Sequence, residues 1–231
     1  MITAVLLWAV LQGVGWALIY YPHVPGGFMH SSGVDPADYP DFVEALYVFF
    51  MTLSTLGFGD VVPTDPGIRV AAPLQALTGF ALLTAALTWF MQIYPPMSRR
   101  RSLALELKLL ADTDYAQMIG QFDATTASRT LNVLAEELGK VRIDFTQHSE
   151  GFYFREQDPD LSLARQLPHA VKLRDAGAAA PASGVRLSAQ RLSEALEQLA
   201  QKLETDFVHT GDGIEEIFAA YAEEHGQSQA A

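Results

Sequence analysis

The chain has 231 residues, a formal net charge of −12 and no cysteine. The acidic balance argues against nucleic acid as a partner, because phosphate binding needs clustered positive charge. The missing thiols exclude disulfides, thiolate metal sites and cysteine nucleophiles. Basic residues are unevenly spread: residues 1–96 hold Arg69 alone, and the other fourteen Lys and Arg fall between Arg99 and Lys202. The chain is therefore expected to divide near Pro95-Pro96 into an apolar part, 1–96, and a charged part, 97–231.

The opening run, residues 2–21, carries no charge and is long enough for one crossing of a bilayer. Trp16, Tyr20 and Tyr21 suit an interface at its outer end. A secretory signal is the competing reading, but the run lacks a basic start, is long, and is followed by no small-residue cleavage site. Its abrupt beginning leaves open a longer amino terminus. Pro22 to Pro40 has loop composition and is expected to form an external turret. Asp35, Asp38, Asp41, Glu44, Asp60 and Asp65 set six acids against Arg69 on this face, which would concentrate cations there; Asp41 and Glu44 equally suit a helix start.

Residues 42–53 read as a helix too short to span a bilayer, flanked by segments that are long enough. Directly behind it comes T-L-S-T-L-G-F-G-D-V-V-P, residues 52–63. A glycine-alternating loop between two spans survives at membrane depth only where protein or a water-filled cavity covers its backbone, so this loop is expected to line a pore. Gly57 and Gly59 allow positive φ at alternate positions, which a side chain would penalise by roughly 1 kcal/mol or more, and successive carbonyls can then face one axis. The helix before the loop would aim its negative end at a central cavity, with Tyr47, Phe49 and Phe50 packing against the spans. Residues 68–94 read as a second span of about 40 Å, tilted or protruding.

The order Thr55-Leu56-Gly57-Phe58-Gly59-Asp60 resembles the signature of the tetrameric potassium-channel family, and the surroundings resemble its prokaryotic type with two transmembrane segments per subunit. The resemblance extends from about Ala45 to Phe90. It implies an all-α membrane protein: two transmembrane helices, a re-entrant pore helix at 42–53, a selectivity filter at 55–60, and a helical cytoplasmic domain after them. It also implies K+ bound by the carbonyls of Thr55, Leu56, Gly57 and Phe58, with Gly59 completing the filter and the Thr55 hydroxyl closing its inner end. Leu56 and Phe58 would pack behind the filter, and Ser54 and Asp60 would support it. Departures are Phe58, where tyrosine is more usual, and Ser54, where threonine is; the missing phenol implies a less rigidly held filter.

Gly79 follows Gly59 by twenty positions, the family's spacing for a hinge in the pore-lining helix, although glycine also serves close packing in spanning helices. Phe80, Leu83, Leu87 and Met91 share one helical side and are the candidate cavity lining. Pro95-Pro96 is expected to end this helix. Arg99-Arg100-Arg101 then place its end in the cytoplasm by the positive-inside rule, and two spans bring the amino terminus to the same side. The implied location is the plasma (cell inner) membrane, multi-pass, with both termini cytoplasmic.

The 97–231 part reads as helical. Leu103, Leu107 and Leu110 recur at helical spacing, and a helix starting after Asp123 carries Leu131, Leu134 and Leu138, with Gly139 a candidate end. Gly151 to Phe154 is an aromatic loop expected to pack on a helix or the membrane. A stretch with Leu163, Leu167 and Val171 is disturbed by Pro168, and residues 176–184 read as an Ala/Gly/Pro/Ser linker. The stripe Leu192, Leu196, Leu199 and Leu203 suits a four-chain coiled coil or packing within the subunit. A last helix, about Ile214 to Glu224, would be capped by Asp212 with Glu215, and the tail from Gly226 reads as disordered. The histidines have no metal-ligand spacing, no phosphate-binding loop occurs, and there is no arginine-repeat helix of the voltage-sensing kind.

These readings together imply a non-enzymatic, potassium-selective homotetrameric channel in a lipid bilayer, needing no cofactor beyond the permeant K+. Two alternatives stay open: a weakly selective cation channel, and a membrane-anchored helical scaffold or sensor with a silent pore. The sequence names no cytoplasmic ligand or protein regulator.

Overall fold

The computed structural model describes residues 2–211 and 213–227, with side chains from residue 6 onward. The chain divides into two compact units, Met1–Phe90 and Met91–Ala231. The division falls inside a helix rather than at Pro95-Pro96.

The first unit contains α1 (Ile2–Tyr20), strand β1 (Phe28–His30), α2 (Asp41–Leu53), strand β2 (Val61–Pro63) and the first part of α3 (Pro66–Asp112). Helix α2 starts where Pro40 is extended and where Asp41 and Glu44 place negative charge on the first turn. Helix α3 starts at a proline whose missing amide costs nothing there, and the Asp65 carboxylate accepts from the Gly67 and Ile68 amides at 2.7 and 3.1 Å. Those two amides, ahead of His23, hold the Asp65 carboxyl below its usual range. Besides its helices and loops, the described part of the unit holds an antiparallel ribbon, in which Phe28, Met29 and His30 pair with Pro63, Val62 and Val61. The ribbon, absent from the expected all-α plan, ties the segment after α1 to the segment behind the glycine loop.

Ala17, Tyr20, Phe28, Ala45, Val48 and Ile68 form the core of this unit. One buried amide crosses it: Gln75 accepts from the Tyr20 hydroxyl and donates through Nε2 to the Phe49 carbonyl at 2.8 Å. Gln75 is fully buried, so α1, α2 and α3 are joined by bonds with no water to replace them. Helix α3 is long and apolar enough to cross a membrane.

The expected stop at Pro95-Pro96 is not observed: α3 runs without interruption to Asp112. A proline inside a helix costs about 3 kcal/mol, and the contacts just beyond offset that cost. Arg99 makes a bidentate pair with the buried Asp144. Arg100 donates to the Gly151 carbonyl at 2.8 Å, and Arg101 pairs with Glu156 at 2.6 and 3.1 Å. Leu103, Ala104 and Leu107 are buried on the following turns. The three arginines, expected as topology markers, are thus also structural.

The second unit adds the short α4 (Tyr115–Met118), α5 (Ala124–Gln147), α6 (Leu163–Ala178), α7 (Ser183–Leu203) and α8 (Ile214–Glu224). Asp123 caps α5 by accepting from the Thr125 and Thr126 amides at 3.0 Å. The helix passes through Gly139 to Gln147. Leu131, Leu134 and Leu138 meet Leu192, Leu196, Leu199 and Leu203 in one core, so the leucine stripe of α7 packs within the chain. Each such leucine contributes about 2 kcal/mol on burial.

The expected linker 176–184 shrinks to the turn at 179–182. Its small residues serve close packing instead: a Cβ built on Gly177 would lie 2.7 Å from Leu131 Cδ1 and 3.0 Å from Ala189 Cβ. Pro168 lies within α6 without ending it. In the aromatic loop Phe152 is buried and stacks on Phe207 at 4.2 Å, while Tyr153 is exposed. The Nε2 of His225 lies 2.6 Å from the Phe152 carbonyl, and burial pushes this imidazole below its usual range although the carbonyl contacts oppose it. Asp212 lies outside the described residues. At the start of α8 it is Glu216, not Glu215, that accepts from the Gly213 amide, at 2.8 Å. In the segment read as a disordered tail, the Gln227 amide donates to the Ala222 carbonyl at 2.9 Å; residues 228–231 lie outside the described residues.

Candidate functional site

Helix α2 delivers the chain to the glycine loop with its hydroxyls turned back on the helix. Thr52 Oγ1 donates to the Val48 carbonyl at 2.8 Å, and Ser54 Oγ donates to the Phe50 carbonyl at 2.7 Å. Positive φ then recurs at every second residue: 56° at Thr55, 53° at Gly57 and 77° at Gly59. Nothing lies within 4 Å of a Cβ built on Gly57 or Gly59, so backbone conformation and not space calls for glycine there. Thr55 has no such freedom. A β-branched residue in this region stores roughly 1–3 kcal/mol of strain, which collects at functional sites.

Leu56 and Phe58, between the positive-φ residues, are 61% and 71% exposed in the single chain. Their expected packing behind the loop is therefore not made within the chain itself. The far end is firmly held. Asp60 Oδ2 accepts from the Tyr47 hydroxyl at 2.5 Å, the Asp60 carbonyl accepts from the Ser31 amide at 2.8 Å, and Val61 enters the ribbon opposite His30. The His30 ring contacts the Glu44 carboxylate through Nε2, linking the other ribbon strand to α2. The loop is thus fixed to α2 and the ribbon at its ends and bare along its middle.

Of the residues singled out in the sequence, Ser54 to Asp60 form this one loop, bonded to α2 by the Ser54 hydroxyl at its near end and by the Asp60 carboxylate at its far end. Phe80, Leu83, Leu87 and Met91 lie along α3, each exposed in the single chain. Gly79 faces α2, where a Cβ built on it would come within 2.2 Å of Leu53 Cδ1. Sequence reasoning passed over Tyr47, assigned there to packing, and Gln75, His30 and the buried role of Glu44. Two signals were available. Glu44 and Tyr47 stand three apart on one helical face, and Gln75 is a lone amide in an apolar helix. Among the described residues no group of three His, Asp or Glu side chains is arranged to hold a metal ion.

Residues 5–94 match the model of a protein family described as an ion channel. The matched segment takes in α2, the glycine loop, the ribbon and the apolar part of α3. No curated protein and no solved structure matches the chain. The match supports an ion channel seated in a membrane, a class that is generally non-enzymatic.

Proposed function

We propose that this chain is the subunit of a potassium-selective channel in which four copies place their glycine loops around one axis. The observation that carries the reading is the alternation of positive φ at Thr55, Gly57 and Gly59 in a loop anchored only at its ends. Alternation of this kind can turn consecutive carbonyls the same way, and rings of such oxygens replace the hydration shell of a potassium ion. In this reading the carbonyls of Thr55, Leu56, Gly57 and Phe58 bind K+, and Gly59 with Asp60 closes the outer end. The bare middle of the loop and the exposed Leu56 and Phe58 are then covered by neighbouring copies. The second helix of the pore is α1, which crosses the plasma membrane beside α3, and both termini are cytoplasmic.

A weakly selective pore is the second reading. What favours it is Phe58, which has no hydroxyl and makes no packing contact sufficient to bury it within its own subunit. Tracer flux into liposomes carrying the purified chain tests both. Uptake of a potassium tracer that sodium does not compete with, and that barium blocks, supports the principal reading. Uptake suppressed equally by sodium supports the second, and no uptake contradicts both.

A further inference from the structure

A cavity of about 250 Å³ opens beside the outer end of the glycine loop. It is lined by Val34, Val43 and Val61, by Tyr39 and Tyr47, and by the acidic residues Glu44 and Asp60. None of these lining residues is basic. The volume is below the 300–1,000 Å³ usual for drug-sized ligands, so an occupant must be small. The valines call for an apolar body, and tyrosine rings beside carboxylates suit a cation.

The carboxylate of Glu44 adds a second and independent indication. The residue is only 5% exposed, and its Oε1 is taken by His30. Its Oε2 is buried and has no hydrogen-bond partner. A buried oxygen without a donor costs about 1–3 kcal/mol or more when charged. A ligand bringing an N–H donor with positive charge removes that cost and makes a charge-assisted bond. Asp60 Oδ2 accepts from Tyr47, and of the two carboxylates it is Glu44 that holds a buried oxygen without a donor.

We infer that this cavity is a binding site for a small primary ammonium with a compact apolar body, its N–H donated to Glu44 Oε2 and its body held by the valines and Tyr39. The inference stands apart from conduction, since it needs only the folded first unit. The cavity's lining comes from the turret, α2, Asp60 and Val61, and includes none of residues 55–59.

The test is equilibrium dialysis of labelled benzylammonium against the purified full-length chain in detergent, with unlabelled benzylammonium and benzyl alcohol as competitors. Saturable binding is expected, displaced by unlabelled benzylammonium and not by the alcohol. Glu44→Gln should weaken it by about tenfold or more, the loss of one charged hydrogen bond. Because that change also disturbs His30, Val43→Trp serves as a second variant. Val43 is 51% exposed, so the indole can fill the cavity while the His30–Glu44 contact stays, and binding should be lost with the melting temperature unchanged. Non-saturable uptake, equal displacement by benzyl alcohol, or unchanged affinity in Val43→Trp would each overturn the inference.

Discussion

Gly79 and Leu53 touch so closely that any larger residue at 79 must displace the leucine: an added Cβ would sit 2.2 Å from Leu53 Cδ1. This contact joins α3 to the last turn of α2, immediately before the glycine loop. It gives the glycine a packing role that a hinge at the same residue would have to break.

Gly79→Ala should therefore destabilise the first unit by about 1–3 kcal/mol, the cost of overpacking. The double variant Gly79→Ala with Leu53→Ala should recover part of that loss, because the clash is removed. Thermal denaturation in detergent of the parent, both singles and the double measures the coupling. Additive losses would show that the contact does not matter.

Tyr47→Phe removes the single side-chain bond between α2 and Asp60 and changes little else. Leaving the carboxylate with one donor fewer should cost about 1.5–3 kcal/mol, the range for bonds to charged groups. If the loop is a filter, the ratio of potassium to sodium flux should fall as well. A variant with parental melting and parental flux ratio would show that Tyr47 does not hold Asp60 in place.

Arg99→Ala leaves Asp144 buried without its cation. Removing one partner of a buried pair costs about 3–5 kcal/mol, and the low end applies because the Arg99 side chain is 39% exposed. Arg99→Ala with Asp144→Asn should be milder than Arg99→Ala alone, since no charge is stranded. Chemical denaturation followed by helical circular dichroism distinguishes the two.

The second unit should weaken on acidification through its histidines. Burial, and then the Lys172 charge, hold His169 below its ordinary value of 6.5, and burial does the same for His225. A depressed histidine binds its proton more readily in the unfolded chain, so stability is fully present above about pH 6.5 and is lost as pH falls below it. Melting measured from pH 7.5 downward should show this decline, and His169→Gln should flatten it. A melting temperature that rises on acidification would contradict the assignment.

The sequence disclosed the loop and its neighbours more fully than the charged half. The positive φ at Gly57 and Gly59 was legible because glycine at alternate positions allows that conformation, and α2 because its acidic start and apolar body are local signals. What local signals cannot show is contact. Pro95-Pro96 read as a stop because proline removes a helix bond, yet Asp144 and Glu156, 45 and 55 residues beyond their partners Arg99 and Arg101, keep the helix going. Residues 176–184 read as a linker because small residues suit both flexible chain and tight helix packing, and only Leu131 and Ala189 decide between them. Tyr47 and Gln75 were missed for the same reason, since their partners Asp60, Tyr20 and Phe49 are brought to them by the fold.

The central claim is that four copies of the Thr55–Gly59 backbone pass potassium and refuse sodium, and a reversal potential measures it most directly. The purified chain is reconstituted in a planar bilayer with equal concentrations of potassium on one side and sodium on the other. Each tenfold of selectivity moves the zero-current voltage by about 59 mV. The account predicts a displacement beyond that value toward the potassium side, abolished with the current in Gly57→Ala; a current reversing near zero, or one that Gly57→Ala leaves as it was, would contradict it.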